Sequence, residues 1–232
     1  MWSKVRKLFN SKSRKKAEYY ELDKRVQNFG ERQAGRTLAE IRNDHISRYE
    51  LAGRYISRGA RVLDIACGVG YGSYVLAMQS QCRYILAVDQ SKDAIEYGKA
   101  YYRSDKIQYR VGDCLTTRLK TEFFDVVVCL EIIEHIKQDK KLLDRLYLTL
   151  TKEGKLILST PNELYMPYSE ARFPYHVRHY TPQEVSDLLE SRSFVIESVY
   201  CQPDRHSKEI VEGWEGLFNI VVCSKKYRPV NS

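Results

Sequence analysis

Short apolar runs and amphipathic segments alternate along most of this chain. The apolar runs are rich in aliphatic residues and are typical of buried strands. They occupy residues 61–67, 84–89, 107–113, 124–130 and 155–162, and two further strand-like runs follow at 194–200 and 217–224. The amphipathic segments carry apolar residues at helical spacing. They predict helices over 37–56, 91–102, 139–150 and 181–191.

Capping signals support two of these helices. Ser91 stands at the start of 91–102, where its side chain can accept a hydrogen bond from the first turn. Thr181 precedes Pro182, and proline is favoured at the first position of a helix.

Nearly continuous apolar strands that alternate with helices predict an α/β fold. We expect a mostly parallel sheet with helices on both faces. Ligands of such sheets bind outside the carboxyl ends of the strands. Glycine or polar residues follow five of the predicted strands, at Cys67–Gly72, Asp89, Asp113, Glu131–His135 and Thr160–Asn162.

The segment "VLDIACGVGYGS" places glycines at 68, 70 and 72, where the backbone can take positive φ and approach a ligand closely. The spacing is GxGxG, not the GxGxxG of a dinucleotide loop. Asp64 also lies four residues before the first glycine. A carboxylate there suits a ligand with an amino group and a sulfonium better than a pyrophosphate. Asp89, at the end of the next strand, can hold two ribose hydroxyls.

Five motifs in order carry a resemblance to a known family. They are "VLDIACGVGYGS", "AVDQS", "VGDCL", "FDVVVCLEIIEH" and "GKLILSTPN", and together they resemble the class I S-adenosylmethionine-dependent methyltransferases over about residues 37–225. The resemblance implies a Rossmann-like, seven-stranded sheet whose last strand is antiparallel. It also implies that S-adenosylmethionine is the cofactor and lies across the strand ends.

The same resemblance implies which residues contact the cofactor. The Cys67–Gly68 turn and Gly70 would approach its methionine part, and Asp89 would hold its ribose. Asp113 and Cys114 would border the adenine. The expected cofactor-binding set is Arg48, Asp64, Ala66, Cys67, Gly68, Gly70, Asp89, Gln90, Asp113, Cys114 and Leu130.

A narrower resemblance lies outside these motifs. The stretches "FGER" (29–32), "DHISRYELA" (44–52) and "FPYHVRHYTPQEVSDLL" (173–189) resemble bacterial methyltransferases of surface-polysaccharide and sugar biosynthesis. This implies O-methylation of a sugar or glycan intermediate of surface-polysaccharide synthesis, including lipid-linked ones. Ser47 and Arg48 stand where such proteins often read HRY. Arg48 can reach the cofactor carboxylate, and the alternative is a surface helix charge.

The acceptor chemistry is expected at "EIIEH" (131–135) and in the loop 163–180, which we interpret as a lid. A hydroxyl nucleophile loses a proton on methylation, so a nearby base helps. The candidate catalytic residues are Glu131, His135, His176 and His179. If the chain is helical there, Glu131, Glu134 and His135 share one face.

Three interpretations of "EIIEH" stay open. The favoured one is a positioning or base element without a metal, and the least favoured is plain solvent exposure. The third is a Mg or Mn site. In this interpretation the ExxEH pattern with a later histidine resembles that of enzymes that methylate quinone or catechol precursors, or the 3′-terminal ribose of RNA. Its ligands would be Glu131, Glu134, His135 and His179.

Charge divides the chain into an arm and a body. The net charge is +8, but seven basic residues and no acidic ones lie within 1–16. The rest is nearly neutral, which disfavours nucleic acid as a partner. We expect a basic arm (1–36), a methyltransferase domain (37–225) and a tail (226–232). The arm is either solvated or lies on an anionic membrane surface.

Composition predicts a folded cytoplasmic protein. If the basic arm lies on an anionic membrane surface, the protein would also contact the inner membrane face peripherally. Hydrophobic residues make up 43% of the chain, and no apolar run has the length of a membrane span. The N-terminus lacks the apolar core of a secretory signal. The six cysteines form no CxxC pair and are interpreted as reduced thiols. The oligomeric state is not indicated.

Overall fold

The protein is described here by a computed structural model covering residues 21–26, 31–205 and 208–226. Its strands are β1 (Arg61–Ile65), β2 (Tyr84–Asp89), β3 (Ile107–Val111), β4 (Phe124–Leu130), β5 (Leu150–Pro161), β6 (Phe194–Gln202), β7 (Val211–Glu212) and β8 (Phe218–Lys225). Its α-helices are α1 (Asn43–Gly53), α2 (Tyr71–Gln79), α3 (Lys92–Tyr101), α4 (Asp139–Thr149) and α5 (Pro182–Ser191). Two 3₁₀ turns are Leu38–Glu40 and Ile133–His135, and residues 21–26 are helical.

The strands form one sheet in the order β3-β2-β1-β4-β5-β8-β6-β7. The pairs from β3 to β5 are parallel, and β8 is antiparallel to both β5 and β6. The predicted α/β fold with an antiparallel last strand is confirmed. The sheet has eight strands, not seven, because the two-residue β7 adds to the edge beside β6. Its exposed residues offer no apolar run from which a strand could be predicted.

The core lies on both faces of the sheet, as predicted. In β1, Val62 packs with residues of α1, α2 and α3, whereas Leu63 and Ile65 pack with α4 and α5. Successive side chains of a strand point to opposite faces, and both faces are covered here. This double burial explains why the strands read as continuous apolar runs.

Both predicted helix caps are confirmed. The Ser91 side chain accepts a hydrogen bond from the backbone N–H of Ala94. Thr181 and Glu184 form a capping box, and Pro182 opens α5. The boundaries differ elsewhere, since α1 begins only at Asn43 and β5 begins at residue 150.

The described part of the predicted arm packs against the domain. Leu22 and Val26 are buried in the core that contains α3, and Arg36 forms an ion pair with Asp23. Packing therefore begins before residue 37, where the sequence places the domain boundary. The basic residues of 1–16 and the tail beyond residue 226 lie outside the described residues. Within the described part of the chain, no helix has the length and apolar content needed to cross a membrane.

All six cysteines are free thiols, as predicted. Five are buried, and Cys114 is half-buried.

Candidate active site

The cofactor loop joins β1 to α2 through a sharply turned backbone. Gly68 has φ +57°, and Gly70 has φ +85° at the start of α2. A Cβ added at Gly70 would lie 2.5 Å from the hydroxyl oxygen of Tyr109, so the site has room only for glycine. Ala66 takes φ +59°, a left-handed conformation that costs a residue with a side chain free energy. Such strain is concentrated at functional sites, which supports the prediction for this loop.

Asp64 lies in β1 directly beneath the loop and is fully buried. The Ser73 hydroxyl donates to its Oδ2 at 2.5 Å, and the Tyr49 hydroxyl lies 3.4 Å from Oδ1. Burial raises the pKa of Asp64 to about 7, with Asp89 adding to the rise and the two hydroxyls opposing it. A nearby cationic amino group would therefore favour its charged form.

Asp89 ends β2 and is held rigidly at the same strand edge. Its Oδ2 accepts from the backbone N–H of Gly68 at 2.9 Å, and its Oδ1 accepts from that of Ser91 at 2.8 Å. The Arg32 guanidinium also donates to Oδ1 at 3.1 Å. These donors fix the carboxylate at the mouth of the loop, and the next residue, Gln90, is exposed.

Asp113 and Cys114 follow β3 beside this carboxylate. The backbone N–H of Gly112 donates to the Asp89 carbonyl, which joins the two strand ends. Asp113 is exposed, and its Oδ1 accepts from the Leu115 backbone N–H at 2.6 Å. Asp113 therefore caps its own turn. This contact does not test its role beside the adenine, which stays a prediction. Burial raises the pKa of the Cys114 thiol to about 11, so it remains protonated.

The end of β4 departs from the expected helical face. Leu130 is buried, and Glu131 takes φ +53°, which breaks the helix before it begins. Only the short turn Ile133–His135 follows. The Ser159 hydroxyl donates to Glu131 Oε1 at 2.6 Å and holds that carboxylate against β5. The three polar side chains are therefore separated instead of sharing one face.

Glu134 points into the interior and is 1% exposed. The Thr160 hydroxyl donates to its Oε2 at 3.3 Å, and its Oε1 has no hydrogen-bond partner among the described residues. Burial raises the pKa of this carboxyl well above its usual range, and the charge of Glu131 adds to the effect. The Glu134 carbonyl accepts from the Val177 backbone N–H, which ties the segment 163–180 to this turn.

Three histidines meet where that segment crosses the end of β4. Nδ1 of His179 lies 2.5 Å from the Met166 carbonyl oxygen, and Nδ1 of His135 lies 2.9 Å from that of Tyr175. A carbonyl can only accept, so both Nδ1 atoms carry the proton. Nε2 of His179 then accepts from Nδ1 of His176 at 2.7 Å. The network thus leaves the Nε2 lone pairs of His135 and His176 for another partner.

Glu31 brings a carboxylate to these two rings. Its Oε2 lies 2.8 Å from Nε2 of His176. One potential ligand atom from each of Glu31, His135 and His176 lies within 4.8 Å of the other two. Glu31 is absent from the residues that the sequence predicts, although the "FGER" stretch contains it. Its contact spans 145 positions, so no local pattern could indicate it.

The alternative metal site that the sequence predicts consists of Glu131, Glu134, His135 and His179. The structure does not bring these side chains together, because Glu134 turns inward and Nε2 of His179 is used by His176. Among the described residues, the group with ligand atoms this close is Glu31, His135 and His176.

Arg48 is buried, which excludes the alternative of a surface helix charge. It lies over the ring of Phe218, and its Nη1 donates to the Gln202 side chain. Its Nη2 lies 3.7 Å from an Asp44 oxygen and has no hydrogen-bond partner among the described residues. A buried guanidinium nitrogen left in this way can receive a ligand carboxylate.

Arg32 is a second contact that the sequence does not predict. Besides pairing with Asp89, its side chain lies 3.7 Å from where a Cβ on Gly68 would be. The segment that contains Glu31 and Arg32 therefore touches both the cofactor loop and the histidines.

Comparisons with known proteins agree with this geometry. Residues 63–158 match the family model of a methyltransferase domain. A Mycolicibacterium smegmatis protein, named among the S-adenosylmethionine-dependent methyltransferases, is 28% identical over 141 residues, which are 60% of this chain and 53% of that protein. The ubiquinone biosynthesis O-methyltransferase of Schizosaccharomyces pombe is 36% identical over 107 residues, 44% of this chain and 38% of that protein. This chain thus spans about half or less of these curated relatives.

A solved structure shows the same fold. The S-adenosylmethionine-dependent methyltransferase from Mesorhizobium loti aligns with a TM-score of 0.65 at 16% identity, over 79% of this chain and all of that one. Residues 63–158 are therefore similar to a methyltransferase domain, and the curated relatives of this region include S-adenosylmethionine-dependent methyltransferases.

The residues present fit that cofactor. Arg48 has a nitrogen without a hydrogen-bond partner among the described residues, which suits the carboxylate, Asp64 suits the amino group, and Asp89 offers two fixed oxygens to the ribose. The glycine turn lets the backbone approach between them.

Proposed function

We propose that this protein is an O-methyltransferase that acts on a hydroxyl of a sugar or glycan intermediate. The observation that carries the proposal is the imidazole Nε2 lone pair of His135, which stays available because Nδ1 of that ring contacts the Tyr175 carbonyl. When bound, S-adenosylmethionine supplies an electrophilic methyl group. The residues of this chain must then hold an acceptor hydroxyl and take its proton.

His135 is the proposed base. The Tyr175 carbonyl fixes its Nδ1–H, so its Nε2 is available to an acceptor hydroxyl. His176 suits a different role, because burial and the neighbouring rings of His135 and His179 lower its pKa to about 3. A group with so low a pKa is a poor proton acceptor but can still accept a hydrogen bond from the hydroxyl. Glu131, held by Ser159, contributes negative charge beside them.

The sugar or glycan acceptor is supported by the resemblance of the segment 163–180 and by its aromatic side chains. Tyr165 and Tyr175 are 49% and 56% exposed, so their rings can pack on a sugar. Tyr180 is buried and donates to Asp139, and it takes no part in such packing. An acceptor pocket would then have aromatic walls around the histidines.

The test is a methyl-transfer screen with the full chain. Protein and labelled S-adenosylmethionine are incubated with nucleotide sugars, lipid-linked glycans and catechols, and products are analysed by mass and linkage. We expect an O-methylated sugar. His135→Gln should lower turnover by about 10²–10⁴-fold without changing S-adenosylhomocysteine affinity, because loss of a base affects the reaction step. Lys137→Ala, at an exposed neighbouring position, is the control. Methylation of catechols alone would refute the glycan proposal.

A second candidate is O-methylation of a quinone or catechol precursor. It is favoured by the similarity to the Schizosaccharomyces pombe ubiquinone biosynthesis enzyme. The same screen separates the two, since a catechol product identifies this acceptor class. The 3′-terminal ribose of RNA is not favoured as an acceptor, because the chain after residue 16 is nearly neutral and offers little attraction to phosphates.

The proposed cytoplasmic location with contact at the inner membrane face depends on the basic residues of 1–16. Vesicles with and without anionic lipid test it in a flotation assay. We expect salt-sensitive binding to the anionic vesicles alone, and binding should be lost when the basic residues of 1–16 are replaced by neutral ones. Equal behaviour with both vesicles would refute it.

A further inference from the structure

We propose that Glu31, His135 and His176 bind one divalent transition-metal ion between the segment 31–36 and the segment 163–180. The proposal rests on the proposed function only for the ion's chemical role, since binding itself can be measured without any acceptor. It differs from the ligand set that the sequence predicts, with which it shares only His135.

The first argument is the direction of the lone pairs. The Tyr175 carbonyl takes the Nδ1–H of His135, and His179 takes the Nδ1–H of His176. Each ring is thereby fixed in the tautomer that presents Nε2 as a donor of electrons. Metal-binding histidines are oriented in this way, with the other ring nitrogen bonded to a carbonyl or another acceptor.

The second argument is electrostatic. Oε2 of Glu31 and Nε2 of His176 are 2.8 Å apart, and both carry lone pairs. Two such atoms attract each other only if a proton or a metal ion is shared between them. Neighbouring ligands on an ion with bonds of about 2.1 Å are separated by about 3.0 Å when they are at right angles, which is close to this contact.

The third argument is that the triplet joins two separate parts of the chain. Glu31 precedes Arg32, which binds Asp89 at the cofactor loop. His135 lies just after the end of β4, at the strand edge where the cofactor is predicted to bind, and the His135 and His176 rings lie 4.5 Å apart, edge to face. An ion here would sit beside the reaction site and would fasten the segment 31–36 over it.

The donor set decides the class of ion. Two imidazole nitrogens and one carboxylate suit Mn²⁺, Fe²⁺, Co²⁺ or Zn²⁺, whereas Mg²⁺ and Ca²⁺ prefer oxygen ligands. Three protein ligands leave coordination positions open for an acceptor hydroxyl. With the ion bound, Nε2 of His135 would be a ligand and would no longer act as the base. The ion would lower the pKa of the acceptor hydroxyl, and the proton would pass to solvent or to Glu131.

The experiment is calorimetric titration of the chelator-treated 232-residue chain with Zn²⁺, Mn²⁺ and Mg²⁺ separately. We expect one equivalent of Zn²⁺ or Mn²⁺ to bind and Mg²⁺ to bind at least tenfold more weakly. Glu31→Gln and His176→Gln should each weaken binding at least tenfold. Glu31 is exposed, so its variant should fold normally, and thermal unfolding checks this.

Two controls identify the ligands. Glu21→Gln, at an exposed acid outside the cluster, should bind the ion like the wild type. Glu131→Gln should also retain it. The proposal would be overturned if the protein bound neither Zn²⁺ nor Mn²⁺. It would also be overturned if Glu131→Gln lost ion binding while Glu31→Gln kept it. Ion binding without methylation of any sugar would refute the proposed function and leave the ion site standing. Full turnover by chelator-treated protein that holds no ion would refute the ion's role in the reaction and leave the proposed function standing.

Discussion

Gly70 is the position where the structure makes the sharpest quantitative prediction. Its φ of +85° lies in the left-handed region, where a residue with a Cβ loses about 1–2 kcal/mol. The new methyl of Gly70→Ala would also lie 2.5 Å from the Tyr109 hydroxyl oxygen and 2.6 Å from a ring carbon. Overpacking of this kind costs about 1–3 kcal/mol. The free energy of unfolding should therefore fall by about 2–5 kcal/mol.

Tyr109 cannot easily move away from the new methyl group. Its hydroxyl donates to the Tyr102 carbonyl at 2.8 Å, and its backbone is paired within the sheet through β3. The clash must therefore be relieved by movement of the loop, where the cofactor contacts are predicted to lie. We expect S-adenosylhomocysteine affinity to fall at least tenfold in folded Gly70→Ala protein.

Gly59→Ala is the matched control. Gly59 has φ +76°, close to that of Gly70, but nothing lies within 4 Å of its added Cβ. This variant should lose only the backbone contribution of about 1–2 kcal/mol and keep the affinity. Urea unfolding of both variants and calorimetry with S-adenosylhomocysteine measure the two effects. Equal destabilisation of both variants, with unchanged affinity, would refute the assigned position of Tyr109 over the loop.

Three further predictions concern the cofactor site. Asp89→Asn should weaken S-adenosylhomocysteine binding at least tenfold, because a charged acceptor for the ribose hydroxyls is lost. The control Asp93→Asn should keep the wild-type affinity. Equal affinities of the two variants in calorimetry would contradict this prediction. Arg48→Lys should weaken S-adenosylhomocysteine but not 5′-methylthioadenosine, which lacks the carboxylate, and parallel losses for both ligands would exclude the assigned contact. Asp64 has its folded pKa raised from 3.8 to about 7, so its contribution to stability falls as pH rises across that interval. A cationic ligand should then release protons on binding at pH 7, and calorimetry in two buffers should show that Asp64→Asn abolishes the release.

Local sequence determines the parts of the site that depend on the ends of single strands. The glycine turn, Asp64 and Asp89 could be predicted because apolar runs locate the strands, and parallel strands place their carboxyl ends at one edge. The helix caps Ser91 and Thr181 could also be predicted from the sequence, because a cap bonds within the first turn of its own helix.

The rest depends on contacts between distant segments. Arg32 meets Asp89 across 57 positions and Glu31 meets His176 across 145, and neither contact follows from hydrophobic periodicity. The condition for a shared helical face at "EIIEH" is not met, because Glu131 adopts a left-handed backbone at the strand end. That conformation is uncommon for glutamate and is stabilised here by Ser159 of the neighbouring strand, a partner that the local sequence does not reveal.

The most direct test of the central claim is a calorimetric titration of the full chain with S-adenosylhomocysteine and, separately, with NAD⁺. The account predicts saturable binding of one S-adenosylhomocysteine per chain and no binding of NAD⁺, because Asp64 lies beneath a GxGxG turn that lacks dinucleotide spacing. Failure to bind S-adenosylhomocysteine, or binding of NAD⁺ in its place, would contradict the assignment of this strand edge as a methyltransferase cofactor site.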